Sequence, residues 1–552
     1  MNPAHIDLVG VPFTLPRSRL FILKDTDDSL AVFSAEYEIP LQSSAVLTGL
    51  SVRRDGEKLP INVESLSRLK FGRDAELTFT SFRSLRLKNI GQTDLDINFN
   101  INDGEVNPTH WFPRLKHVEW AHVSGSLTNL APGKSFTIVT GCGGQTHELD
   151  EDENFADHMW SEWMSKSPQV SAADQDYSDL CWSVLGSNTL EIDSRFASVV
   201  PSKLGYVGHW QWDSYFIALG LMHGDFDLAK QQIDGALAHQ AINGQLPDVV
   251  HDFGVLMNFS NLPSYEFEKF LERSQSVQSD PALIPLTKPP LTAWAVSKML
   301  SHDSRESWDW YRDTFAKIQR SQNWWLDFAS DQPGGTPRYQ HPYSSGLDDS
   351  PVFDTSMDPV TPDLITYLIK QRDILNELSS SLGLVFNSNG NHLDSGLMEL
   401  WDEDVEMFLS SDKGRKIYSR TVLSLMPLLL EGLPSEIVLT IIDQLIDPKI
   451  FGGELAIPTV ARNDPDFNSS TMWRGPIWFN TNYLVIDALR LHRETHLADG
   501  LLEKSLDLVK NAGGPFEYFN AETGMPGKRA VGAFSWTAAL FIHMAREKFL
   551  AQ

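Results

Sequence analysis

Between residues 344 and 354 the chain reads SSGLDDSPVFD, which places Asp348, Asp349 and Asp354 in one short loop after Gly346. Crowded carboxylates repel one another, and like charge together with burial raises a carboxyl pKa, so one of the group can keep a proton near neutral pH. A further acid, Glu517, stands in FEYF at 516–519. Two carboxyl groups flanking a bond are what hydrolysis of a glycoside requires. One protonates the departing oxygen, and the other activates a water or attacks as a nucleophile. Asp348 and Asp349 also suit N-capping of the next helix, and one loop can serve both uses.

The residues that would surround such a pair recur at a few places: Tyr206, Trp210, Trp212 and Asp213 in and before WQWDS (210–214), Gln245 in NGQLPD, and Trp473, Arg474 and Trp478 in WRGPIW (473–478). Flat aromatic faces pack against a sugar's C–H groups, while carboxylates, amides and guanidinium groups bond its hydroxyls. Any one of these tryptophans reads equally well as core; their gathering at helix starts points to a site. GCGG at 141–144 is short of a dinucleotide fingerprint. His251 and His341 have no accompanying metal-ligand spacing, so hydrogen bonding is the expected role, and no cofactor or metal is expected. NFS (258–260) and NSS (468–470) match glycosylation acceptors only formally.

Two kinds of pattern must position these residues. Residues 1–150 run in short alternating stretches such as LAVFSAEYEI, ELTFTSF, LDINFNIN and SFTIVTG, broken by RDGEK and LAPGKS, which predicts an N-terminal β-sandwich. The acidic THELDEDEN (146–154) leads into a linker at 151–175. From 176 to 552 apolar residues recur every three or four positions in about twelve segments, among them 213–223, 227–240, 361–382, 393–409, 421–431, 477–493 and 534–549. Six helical hairpins suggest an (α/α)6 barrel, making the chain a multidomain protein with an all-α catalytic domain. WQWDS, TKPP (287–290), GLDDSP, WRGPIW and FEYF each precede an even-numbered helix, so all would meet at one end, where helix N-termini also offer free amides.

Bulk properties narrow the function further. A chain of 552 residues, 41% hydrophobic and 21% charged, can bury a large core and is expected to form two domains. A net charge of −28 argues against nucleic acid, whose phosphates demand a basic surface. No stretch is apolar and long enough for a membrane span, and the first residues, MNPAHIDLVGVPFTLPRSRLFIL, lack the layout of a secretory signal. With only Cys142 and Cys181, a reduced cytoplasmic setting is expected.

YVGHWQWDSYF, NGQLPD, SGLDDSPVFD, MWRGPIWFNTNYL and FEYFNAETG followed by FSWTAA together resemble glycoside hydrolase family 63, the family of processing α-glucosidase I and of bacterial mannosylglycerate and glucosylglycerate hydrolases. The resemblance spans about residues 175–552. It implies an inverting, exo-acting hydrolase on an (α/α)6 barrel, with Asp348 as general acid and Glu517 as general base. It also implies that Trp212 and Asp213 grip the terminal sugar, with Tyr206, Trp210, Gln245, Arg474 and Trp478 matching positions of the same subsite; Gly346 and Trp473 join them as substrate-binding candidates by their place in the same loops. The DDSP form differs from the trehalase pattern, and the N-terminal domain differs from the shorter glycerate-glycoside hydrolases. The leading expectation is an α-glucosidase for a small α-glucoside such as glucosylglycerate or glucosylglycerol. Trehalose and α-mannosides such as mannosylglycerate are the alternatives within hydrolases, and a non-catalytic sugar-binding protein is the alternative outside them.

Overall fold

The computed structural model describes residues 5–101, 109–111, 115–143, 152–262, 267–268, 283–303, 308–330, 334–386 and 390–551. The chain divides into two compact units, residues 1–191 with 199–207 and 531–538, and residues 192–198, 208–530 and 539–552.

The first unit holds two antiparallel sheets. One orders the strands Phe13–Thr14, Leu20–Thr26, Ser29–Ser34, Ala45–Arg54 and Asp96–Asn100, with Glu57–Lys58 paired to the long fourth strand. The other runs Thr109–Trp111, Trp120–Ser124, Ser135–Gly141, Ser84–Asn89, Ala75–Ser81, Arg68–Phe71 and Ile61–Ser65. Alternation explains the second sheet's inner face: in Arg68–Phe71, Leu69 and Phe71 are buried while Arg68 and Lys70 turn outward to Glu76. Rings join the two sheets, Phe13 stacking on Phe79 at 5.9 Å and Phe99 meeting Phe136 at 5.4 Å. The stretch expected as a linker at 151–175 carries the helix Phe155–Met164, whose Asp157 pairs with Arg68 at 2.5 Å. Trp163 and Trp182 stack at 5.0 Å, and each indole donates to the other's backbone carbonyl. Of the acidic run THELDEDEN, residues 146–151 lie outside the described part.

The second unit is mainly helical, and two kinds of helix follow one another. Gln211–Leu221 is buried at every position, and Phe479–Leu491 everywhere except Asp487, Arg490 and Leu491. Phe226–Leu237 and Thr495–Ala512 bury one stripe at three- and four-residue spacing, as in Ala498, Leu501, Leu502, Ser505 and Leu506. Local chemistry sets several ends. Asp225 accepts the backbone N–H of Leu228, Pro362 opens Pro362–Leu382, and Gly383 closes that helix with φ 66°.

Two expected helices differ. The segment 393–409 is a short helix, His392–Met398, followed by the paired strands Trp401–Asp402 and Met407–Phe408. The segment 421–431 is a 3-10 helix, Val422–Leu429, because Pro427 removes a donor that an α-helix would need. Several hairpins of two or three residues per strand, such as Ser410–Asp412 with Arg415–Ile417, are too short to show a period in sequence. Among the described residues no helix is long and apolar enough to cross a membrane.

Candidate active site

The site begins at the first buried helix. His209–Trp210 pairs with Val249–His251, so Trp210 enters Gln211–Leu221 already held in register opposite Val249. The Gln211 side chain donates to the Tyr215 hydroxyl at 2.8 Å, and its carbonyl accepts from Thr287 Oγ1 and Lys288 N, both at 3.1 Å. Thr287 N donates to Ser344 Oγ at 3.2 Å. One glutamine and one serine thereby join the helix, the TKPP loop and the acidic loop.

The acidic loop turns at Gly346, whose φ is 72°. A Cβ there would lie 2.3 Å from the Trp212 ring, so position 346 needs glycine for both backbone and space. A second glycine serves the facing loop: Gly475 has φ 151°, and a Cβ would lie 2.6 Å from the Asn468 carbonyl. Asp349 accepts Trp473 N–H at 2.9 Å, while Arg474 donates to the Asp349 carbonyl at 3.1 Å and grips Asp354 with bonds of 2.9 and 2.8 Å. The Asp354 carboxylate, ahead of burial, holds the Arg474 guanidinium firmly charged.

Rings run through the site as a series. Trp212 meets Trp473 at 6.1 Å, Trp473 stacks on Trp478 at 3.6 Å and 9°, and Trp478 stacks on Tyr518 at 5.0 Å. Trp478 Nε1 donates to the Met472 carbonyl at 2.8 Å. Glu517 precedes the last ring, and its loop is fixed by reciprocal backbone bonds between Ile477 and Phe519 at 2.8 and 2.9 Å. Glu517 itself is buried, as is the Oδ1 atom of Asp348.

Between these loops lies a buried charge group that no single motif announces. Lys288 Nζ is 3.0 Å from Asp248 Oδ1 and donates to the Tyr343 carbonyl. Burial works against its charge, but Asp248, Asp348 and Asp213 together hold the Lys288 ammonium above its ordinary range. Burial pushes Asp213 up to about 8; Lys288 opposes this, and Glu517 and Asp248 add to it. Burial likewise raises Asp248 to about 6, again against Lys288 and with Asp348 adding to the rise. Asp348 and Glu517 therefore act on one electrostatic group, with Lys288 as its counter-charge. Burial thus favours the protonated form of Asp213, in which the carboxyl can donate a hydrogen bond.

The structure thus draws Trp212, Asp213, Gly346, Asp348, Trp473, Trp478 and Glu517 into one neighbourhood. Gln245 is buried in the same loop as Asp248, and its amide donates to the carbonyls of Met257 and Leu286 at 3.2 and 2.9 Å. Trp210 is half-buried at the helix entrance. Tyr206 belongs to the sheet-bearing unit, where it packs edge-on against Phe534 at 5.8 Å. Arg474 is engaged by the acidic loop. Sequence reasoning passed over Lys288 and Asp248, although both sit inside motifs already singled out, TKPP and NGQLPD.

A family described as the mannosylglycerate hydrolase MGH1-like glycoside hydrolase domain matches residues 206–537, more than half of the chain. The chain belongs to this family. This glycoside hydrolase is 23% identical over 441 residues to mannosylglycerate hydrolase MGH1 of Selaginella moellendorffii, an alignment covering 68% of this chain and 86% of that protein. It is 25% identical over 168 residues to the glucosylglycerate hydrolase of Mycolicibacterium hassiacum, covering 29% of this chain and 37% of the other. The crystal structure of the GH63 mannosylglycerate hydrolase of Thermus thermophilus in complex with glucose shares its fold, with a TM-score of 0.54 at 24% identity over 66% of this chain and 98% of that one.

Proposed function

We propose that this glycoside hydrolase removes a terminal sugar from a small α-glycoside with inversion, Asp348 serving as general acid and Glu517 as general base. Glu517 takes a proton from a water, the water oxygen attacks the anomeric carbon, and Asp348 protonates the leaving oxygen as the C–O bond breaks. The observation that carries this reading is the convergence of the two acid-bearing loops: Asp349, beside Asp348, accepts Trp473 N–H at 2.9 Å, and Trp473 stacks on Trp478, which stacks on Tyr518, the neighbour of Glu517. Trp210, Trp212, Asp213, Gln245 and Gly346 would hold the sugar. Trp478 stacks on both Trp473 and Tyr518, so it would shape the subsite rather than stack on the ligand. Arg474 we assign to positioning the acidic loop. The fully buried and one-sided helices support an (α/α)6 barrel as the frame.

The substrate we favour is an α-glucoside of glycerate or glycerol. An α-mannoside of glycerate is the second reading, favoured by the naming of the Selaginella and Thermus proteins as mannosylglycerate hydrolases. Proton NMR of the sugar first released from glucosylglycerate, glucosylglycerol, mannosylglycerate and trehalose tests both. Release of the β-anomer from a glycerate or glycerol glycoside, with the Glu517→Gln protein silent, is expected. First release of the α-anomer, or undiminished turnover by Glu517→Gln, would overturn the mechanism.

A further inference from the structure

In a chain with 45 basic and 73 acidic residues, three arginines line a single cavity of about 300 Å³ in the sheet-bearing unit: Arg17, Arg19 and Arg83. Phe82, Thr140 and Glu191 share its walls. Three separate segments are pinned together to make it. Arg17 N donates to the Thr189 carbonyl at 2.9 Å, and Ser18 Oγ donates to the Phe82 carbonyl at 2.7 Å. Arg19 reaches the carbonyls of Ala35 and Glu191 at 3.0 and 3.3 Å, which fixes the plane of its guanidinium. The Arg83 carbonyl accepts from both Thr140 N and Thr140 Oγ1, at 2.8 and 3.0 Å. Arg17 holds φ 67°, a left-handed conformation disfavoured for a residue with a side chain. Such strain persists where surrounding bonds over-determine it.

The guanidinium of Arg83 is placed by a weak partner: its Nη1 lies 3.7 Å from the Cys142 sulfur, a poor acceptor for a charged donor. Arg17 is exposed at the rim. Arginine forks of this kind match carboxylate and phosphate oxygens. Phe82 is 37% exposed and meets Phe155 edge-on, leaving ring surface for C–H groups. Glu191 supplies an acceptor for hydroxyls and opposes a dense polyanion such as nucleic acid. The volume is at the small end of ligand pockets and suits a monosaccharide-sized molecule.

We propose that this cavity of the sheet-bearing unit is a ligand site in its own right that binds a monosaccharide-sized oxyanion, meaning a sugar acid or a sugar phosphate. The site does not depend on the catalytic assignments above. Calorimetric titration of the full-length Glu517→Gln protein with glucose 6-phosphate, glucuronate, inorganic phosphate and glucose tests it. We expect at least one of the two sugar oxyanions to bind with a Kd below about 1 mM. That affinity should exceed those for glucose and for inorganic phosphate, and should fall at least about tenfold on adding Arg17→Gln and Arg83→Gln. Binding unchanged by those substitutions, or no binding by either sugar oxyanion, would overturn the proposal. Phosphate binding as tight as glucose 6-phosphate would overturn the sugar part and leave an inorganic-anion site. Arg17→Gln alone, at the exposed rim, provides the reading should the combined variant lose its native circular dichroism.

Discussion

Asp349 accepts the backbone N–H of Trp473 at 2.9 Å, so the loop bearing Asp348 and the stacked rings of Trp473 and Trp478 are held to one another. Arg474 completes the clamp on Asp354. Replacing Arg474 with Met removes its bonds to this loop without touching the proposed acid. The expected result is a kcat lower by about 10–100-fold with KM nearly unchanged, because a small displacement of a reacting group is costly. Stability should fall by about 1–2 kcal/mol. Steady-state kinetics together with urea unfolding separate the two effects, and a variant that loses stability but keeps kcat would count against a positioning role.

Lys288 holds its charge through Asp248, Asp348 and Asp213 together. Lys288→Met leaves buried carboxyls without this counter-charge, a change expected to destabilise the protein by about 3–5 kcal/mol. The loss should deepen as pH rises. Asp213 and Asp248 already have folded pKa values, about 8 and about 6, above the ordinary carboxyl value. Their ionisation therefore disfavours the folded state progressively from about pH 4 upward, and removing Lys288 enlarges that penalty. Unfolding free energies at about pH 5.5 and about pH 8.5, on either side of those pKa values, give the check; an equal loss at both would contradict the electrostatic account.

Gly346→Ala puts a methyl group 2.3 Å from the Trp212 ring on a backbone with φ 72°. Relief requires Trp212 to move or the acidic loop to shift. We expect a stability loss of about 2–4 kcal/mol, beyond the usual range for an exposed loop, and a change in tryptophan fluorescence. An unperturbed emission spectrum would show that the ring is not the neighbour that yields.

Far along the helices from the acidic loop in sequence, His543 Nε2 lies 2.5 Å from the Tyr483 hydroxyl and His543 Nδ1 lies 2.8 Å from His223 Nε2. Burial, then neighbouring positive groups, holds both imidazoles well below their ordinary range; Lys298, His302, Arg490 and Arg546 disfavour their protonation, and Asp487 and Glu547 favour it. The unfolded chain takes up these protons near pH 6.5 and the folded chain does not, so this contribution to stability is present above about pH 6.5 and is lost as pH falls. His543→Gln should flatten the decline between about pH 6.5 and about pH 5. Parallel unfolding curves for wild type and variant across that interval would refute the assignment.

Much of this was readable from residue order. Pro362, Gly383 and the three- and four-residue spacing of Ala498 to Leu506 mark helices through local chemistry, and the alternation in 68–71 marks a strand in the same way. The acidic loop and the tryptophan motifs were visible because unusual residues stood together. Lys288 and Asp248 were not, since an ion pair between residues forty positions apart leaves no local pattern. Arg474 next to two tryptophans looked like a ligand-binding group, and its engagement with Asp354 is a long-range pairing of the same kind. The placement of Tyr206 with Phe534 could not be read from a motif that runs on without interruption into Trp210.

The sheet-bearing unit is closed by the segment 531–538, far along the chain from its strands. Asn188 donates to the Ala533 carbonyl at 2.7 Å and to Ser535 Oγ at 2.9 Å, and Ser202 donates to the Gly532 carbonyl at 3.0 Å. During vectorial synthesis the earlier of the two units to leave the ribosome is therefore among the last to be finished. Its sheets can form early, but the hydrogen-bonded partners of Asn188 and Ser202 arrive only after more than three hundred intervening residues have been translated. Premature termination anywhere before this segment leaves both units incomplete, which makes the chain all-or-none as a genetic product even though it is built in two parts.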